Sequence, residues 1–191
     1  MKPRIRQWFE ESAEAKLKFV AGHAERIQQV ADLLVATFRH GGKVLLFGNG
    51  GSAMDASHVA AEFVGRYRRE RSPLAAISLS ADQAIITCIA NDYDFSEIFA
   101  RQIQAVGRAG DVAIGISTSG NSPNVLRGLE TARELGLATV GWTGGTGGKL
   151  VAMVDHAFVV PSTSVPRIQE THITLGHVLC ELVDEAFLGQ D

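Results

Sequence analysis

Residues 43–52 read KVLLFGNGGS: an apolar run at 43–47, then Gly48, Asn49, Gly50, Gly51 and Ser52, where a helix begins. A run without polar alternation is the pattern of a strand buried on both faces. Its abrupt change into small and amide residues is a strand-to-helix turn. Glycines let the backbone turn tightly, and the helix start offers free N–H groups to an anion. The loop has neither the spacing of a dinucleotide fingerprint nor the Lys-Ser/Thr of a P-loop. Two readings stay open on these residues alone: an anion site, or a plain turn capped by Ser52.

The same grammar continues in both directions. Further strands are predicted at 74–79, 112–116, 138–142 and 157–160. Helices are predicted at 82–90, 95–106, 123–135, 149–154 and 167–187, the 123–135 helix with Pro123 in its first turn. Apolar strands alternating with helices imply an α/β fold, a parallel five-stranded sheet flanked by helices, with ligands at the carboxyl ends of the strands. Upstream, the first 40 residues read as one long helix. Ala13, Leu17, Val20, Ala24, Ile27, Ala31, Leu34 and Phe38 follow a 4-3-4-3 spacing, the seam of a helix that packs on other helices. The expectation is one domain over 1–191, with 1–40 serving oligomerisation; the alternative is a helix packed on its own domain.

A second loop follows the 112–116 strand: Ser117, Thr118, Ser119, Gly120, Asn121 and Ser122. Four hydroxyls, a glycine and a helix N-terminus are more than a cap requires, and together they suit a phosphate group without any Lys or Arg. A third loop, 144–148 (GGTGG), reads as a flexible turn. His58 and Glu62 lie at i and i+4, on one face of the helix after the first loop. They are either a surface polar pair or two ligands for one ion or substrate.

Composition narrows the class. Hydrophobic residues make up 46% and charged residues 20% of 191 residues, with a formal net charge of −3. That is a globular balance without the basic surplus of a nucleic-acid binder. No signal-peptide core or run of membrane-spanning length is present, so a cytoplasmic protein is expected. Cys88 and Cys180 are too few for a disulfide framework and sit in apolar sequence, which reads as buried free thiols in a reducing compartment.

Four stretches carry a resemblance: GNGGSAMDASHVAAEFVGRY (48–67), IANDYDF (89–95), ISTSGNSPNVLRGLETARELGL (116–137) and RIQETHITLGHVLCELVDEAF (167–187). Together they resemble the sugar isomerase (SIS) domain family, and within it the members that act on heptose phosphates. The resemblance implies a SIS-type, flavodoxin-like sandwich. It also implies ketose–aldose conversion of D-sedoheptulose 7-phosphate to D-glycero-D-manno-heptose 7-phosphate, which opens the route to ADP-heptose for lipopolysaccharide. It further implies a homotetramer with active sites between subunits and one zinc per subunit. By motif match, Asn49, Gly50, Gly51, Ser52, Asn91 and Asp92 contact substrate, and Ser117, Thr118, Ser119 and Ser122 hold its phosphate. His58, Glu62, Gln169 and His177 match the metal positions. Glu62, which also touches substrate as Gln169 does, and His177 match the catalytic ones. Pro166, before Arg167, departs from the pattern.

Gln169 and His177 raise a geometric point. Eight residues span roughly 12 Å of a straight helix and turn about 80° around it. One ion cannot hold both from one straight helix. Either that helix bends, or each site takes Gln169 from one chain and His177 from another. Two rival functions remain: a non-catalytic relative that binds a replication-initiator protein, and an isomerase of another sugar phosphate.

Overall fold

The computed structural model describes residues 2–188. Helix α1 (Lys2–Arg39) leads into β1 (Val44–Gly48), α2 (Gly51–Val64), β2 (Ala76–Ser78) and α3 (Gln83–Asp92). A 3₁₀ turn at Phe95–Glu97 precedes α4 (Ile98–Val106), β3 (Val112–Ile116), α5 (Pro123–Glu134) and β4 (Ala138–Gly144). A second 3₁₀ turn (Leu150–Ala152), β5 (His156–Val160) and α6 (Val165–Ala186) complete the order. The predicted 149–154 helix is thus only a 3₁₀ turn, and β4 runs two residues further than the sequence suggested.

All five strands are parallel in the order β2-β1-β3-β4-β5. Every residue of β1 and β3 is buried, because helices cover both faces. Val44, Leu46, Ile114 and Trp142 point into the layer formed by α1, α2 and α6. Leu45, Phe47 and Ala113 point into the layer of α3, α4 and α5. From β1 the chain moves outward to β2. From β3 it moves the other way, to β4 and β5. The winding therefore reverses between β1 and β3, and a crevice opens between their carboxyl ends, the place where this class of sheet binds ligands.

Helix α1 corrects one expectation. Ile27, Ala31, Leu34 and Phe38 are buried in the chain's own core, so this half of the seam packs intramolecularly. The other half emerges: Leu17 is 68% and Val20 43% exposed. Cys180 is buried as expected, but Cys88 is exposed on α3. The reason is that α3 buries only Ile89 in this chain, so apolar sequence there does not mean a packed side chain. Among the described residues no helix is long and apolar enough to cross a membrane.

Candidate active site

The crevice between β1 and β3 is closed by a pair of amides. Asn49, just past β1, and Asn124, in the first turn of α5, exchange two hydrogen bonds of 2.8 Å each. Asn124 also accepts from the Val125 amide. Sequence reasoning gave Asn124 no role. Its signal was a polar side chain just inside a helix start, and the structure makes it the tie between the first two loops.

The second loop gathers its hydroxyls. Ser117 Oγ lies 2.9 Å from Ser122 Oγ and 3.5 Å from Ser119 Oγ. Ser122 occupies the N-cap of α5 without a side-chain cap bond, and Pro123 opens the helix. Three hydroxyls therefore cluster at the positive end of a 12-residue helix, an arrangement suited to an anion. Thr118 lies alongside, its carbonyl accepting from the Gly144 amide at 3.1 Å. A cleft of about 330 Å³ lined by Thr118, Ser119, Thr146, Ser162 and Thr163 adjoins it.

The third loop is not a free turn. Gly120 has φ +65, and a Cβ there would lie 2.0 Å from the Gly147 carbonyl oxygen. The Leu150 amide donates to the Gly120 carbonyl, and the Lys149 amide to Asn121 Oδ1. Residues 144–150 thus brace the hydroxyl loop from behind.

On the first loop, Gly50 is the N-cap of α2 and makes no side-chain cap bond. Ser52 is buried within the first turn, so it does not cap the helix. Gly51 meets Gln169 instead: a Cβ there would fall 2.3 Å from the Gln169 amide nitrogen. A side chain at this position would push the Gln169 amide away from the start of α2.

Helices α2 and α6 run side by side, and further along them three side chains meet. His58 Nε2 lies 2.9 Å from His177 Nε2 and 3.3 Å from Glu62 Oε1. One ligand atom from each residue lies within 4.8 Å of the others. Two ring nitrogens facing one another beside a carboxylate must share a proton or a cation. Two imidazoles and one carboxylate are a known ligand set for a divalent ion with an open position. Tyr67 stacks on His177 with ring centroids 5.4 Å apart and planes 25° from parallel. Gln169 does not join this group within one chain. Helix α6 is continuous, so Gln169 sits about 12 Å up the axis from His177. Asn91 and Asp92 are exposed at the end of α3, in the opposite layer of the sheet, where the Asn91 amide donates to Asp92 at 2.9 Å.

Neighbouring polar residues are placed as follows. His172 is buried, its Nε2–H donating to the Thr143 carbonyl. Asp55 is half-buried one turn before His58. Burial pushes its pKa up, against the pull of His58. Arg68 pairs with Glu181 at the surface.

Known proteins share this fold. The SIS domain family profile matches residues 7–144. The phosphoheptose isomerase of Aquifex aeolicus is 55% identical over 185 residues, 97% of each chain. That of Thermodesulfovibrio yellowstonii is 54% identical over 182 residues, 95% of this chain and 90% of that one. The chain belongs to the phosphoheptose isomerase family of SIS-domain proteins. The solved structure of phosphoheptose isomerase GmhA from Neisseria gonorrhoeae superposes with a TM-score of 0.91 at 42% identity, covering 96% of this chain and 98% of that one. The phosphoheptose isomerase fold, a five-stranded parallel sheet between helical layers, is therefore the fold of this chain.

Proposed function

We propose that this chain isomerises D-sedoheptulose 7-phosphate to D-glycero-D-manno-heptose 7-phosphate through an enediol, and that it does so in the cytoplasm. The relatives' names support the reaction. The observation that carries it is the meeting of His58, Glu62 and His177, which places a carboxylate and two imidazoles at one point. A ketose–aldose shift needs a base for the carbon-bound proton and a proton donor for the carbonyl oxygen, roles these groups can fill. Glu62 takes the proton from C1 while His177 supplies one to O2. The enediol then gives its O1 proton back to His177, and Glu62 returns the carbon-bound proton to C2. One C–H and one O–H bond break and one of each forms, so no external oxidant or reductant enters.

The hydroxyls of Ser117, Ser119 and Ser122, with Thr118, hold the phosphate at the α5 N-terminus. Asn49, Gly50, Gly51, Ser52 and Gln169 line the path between phosphate and reacting carbons, and Asn91 and Asp92 hold sugar hydroxyls. Zinc is the proposed metal, one per subunit; His58, Glu62 and His177, with Gln169 of a neighbouring subunit as fourth ligand, would hold it through one atom each, and the proton transfers then fall to the atoms of Glu62 and His177 that the ion leaves free. Bound there, it would polarise the sugar's carbonyl and hydroxyl oxygens.

One chain leaves Asn91–Asp92 in the opposite layer from the imidazoles and Gln169 two turns from them. This separation supports a site completed between subunits, and hence a homotetramer built on α1.

The test is solvent deuterium incorporation into sedoheptulose 7-phosphate, beside a panel of other ketose and aldose phosphates. Glu62→Gln should keep the fold and substrate binding but lower exchange at C1 and C2 by at least about 100-fold, within the range general bases contribute. Wild-type exchange in that variant would remove the carboxylate from the mechanism. Faster turnover of a hexose phosphate would overturn the substrate assignment.

A further inference from the structure

Residues 65–72 leave α2, loop outward and return towards β2. Their only deeply buried side chain is Arg71, 3% exposed, paired with Asp184 of α6, 1% exposed, at 2.7 Å. The guanidinium uses its whole fork. Nε donates to Asp184, Nη2 to the Glu62 carbonyl at 2.9 Å and Nη1 to the Phe63 carbonyl at 2.8 Å. Those carbonyls lie in the last turn of α2, where a helix leaves its acceptors without internal partners and favours a cation. The second oxygen of Asp184 accepts the backbone amides of Arg68 and Arg69 at 3.1 and 3.4 Å. Between the two anchored ends the loop lays Tyr67 on the ring of His177.

We propose that Arg71 and Asp184 are positioning residues for the His58–Glu62–His177 group, acting through this loop. The pair joins the helix that carries His58 and Glu62 to the helix that carries His177. It fixes the end of α2 at Glu62 itself, and it holds the aromatic ring that sets the plane of His177. The orientation of ligands by partners outside the metal's own contacts is typically worth 10- to 100-fold in metal affinity. The proposal rests on the reading of the three residues as a metal-holding group.

The test is zinc affinity of the full chain, measured by competition with a chromophoric chelator, with the fold checked by circular dichroism. Breaking one half of a buried ion pair strands a charge, whereas replacing both halves with apolar residues is often tolerated. The informative variant is therefore the double change Arg71→Met/Asp184→Leu, beside Tyr67→Leu, Tyr67→Phe and His58→Ala. We expect about 10- to 100-fold weaker zinc binding in the double variant and in Tyr67→Leu. Tyr67→Phe, which keeps the ring, should stay within about twofold of wild type. Turnover should fall in kcat while KM holds, because the phosphate loop lies elsewhere. Wild-type zinc affinity in both weakened variants, with binding lost in His58→Ala, overturns the positioning role and leaves the metal site standing. Undiminished zinc binding in His58→Ala overturns the metal site and the positioning role together. If the double variant does not fold, Tyr67→Leu against Tyr67→Phe decides.

Discussion

The ring of His172 lies wholly inside the protein, between Trp142 and the end of β4. Its Nε2–H donates to the Thr143 carbonyl at 3.1 Å, and its Nδ1 finds no partner among the described residues. A charged imidazole is costly there, so burial pushes its pKa from 6.5 down to about 4. Between those values the unfolded chain takes up a proton that the folded chain refuses. Its contribution to stability is therefore full above about pH 6.5 and is lost as pH falls towards 4, by about 3 kcal/mol in all. Urea denaturation at pH 7.5, 5.5 and 4.5 should show this loss in the wild type and a shallower one in His172→Gln. Equal pH dependence in both proteins would mean that other groups govern acid stability. At this scale the sequence was legible where chemistry is local: the i, i+4 spacing of His58 and Glu62 is enough to put them on one face of a helix. What it hid were partners set by tertiary packing. Nothing about Arg71 or Asp184, 113 residues apart, distinguishes them from solvated charges, and Tyr67 carries no mark that it will meet His177.

Among elements, the central strands were readable, because a strand covered on both faces must be apolar throughout. The hydroxyl loop was readable too, since its side chains exceed what a helix cap needs. The third loop was not. Its glycines announce a permissive backbone but not what packs against it, and the structure seats Gly147 and Gly148 directly against Gly120. This makes Gly120 a strict test of the two-loop arrangement. A methyl group there meets a backbone carbonyl 2.0 Å away, in a conformation with positive φ that costs an L-residue a further 1–2 kcal/mol or so. Gly120→Ala should lower stability by about 2 kcal/mol or more and splay the hydroxyls of Ser117, Ser119 and Ser122. KM for the phosphorylated substrate should rise roughly tenfold, equivalent to about 1.4 kcal/mol, with a smaller change in kcat. Steady-state kinetics beside a denaturation curve would check both. An unchanged KM would detach this loop from phosphate binding.

For the whole molecule, the question is what covers α1. Val20 and Phe38 are 18 residues apart, five full turns, and so share one face of the helix. Phe38 is buried on that face and Val20 is 43% exposed. The apolar seam is therefore continuous, but the chain's own domain ends beneath it. Towards the N-terminus the domain touches a different face, through Ala15 and Phe19, which packs on Phe158. The free face carries Leu17 and Val20, and Phe9, 76% exposed, extends the apolar surface further. The proposed homotetramer would cover this surface and would bring a neighbour's Asn91–Asp92 towards the imidazoles. The sequence spacing alone could not divide the seam, because one periodic pattern serves both an internal and an external partner. The division dictates which substitutions test assembly. A charge at Leu34, fully buried, would unfold the chain, typically at a cost of several kcal/mol, and say nothing about subunits. Leu17→Glu/Val20→Glu instead places two charges on the exposed half. Its circular dichroism should match the wild type, light scattering should fall from the proposed tetramer to a smaller species, and turnover should drop by at least about 100-fold, because the proposed shared site would then lack the neighbouring chain's residues. A folded, smaller species with full activity would place the whole site within one subunit. An intact tetramer carrying both charges would move the interface off this face of α1.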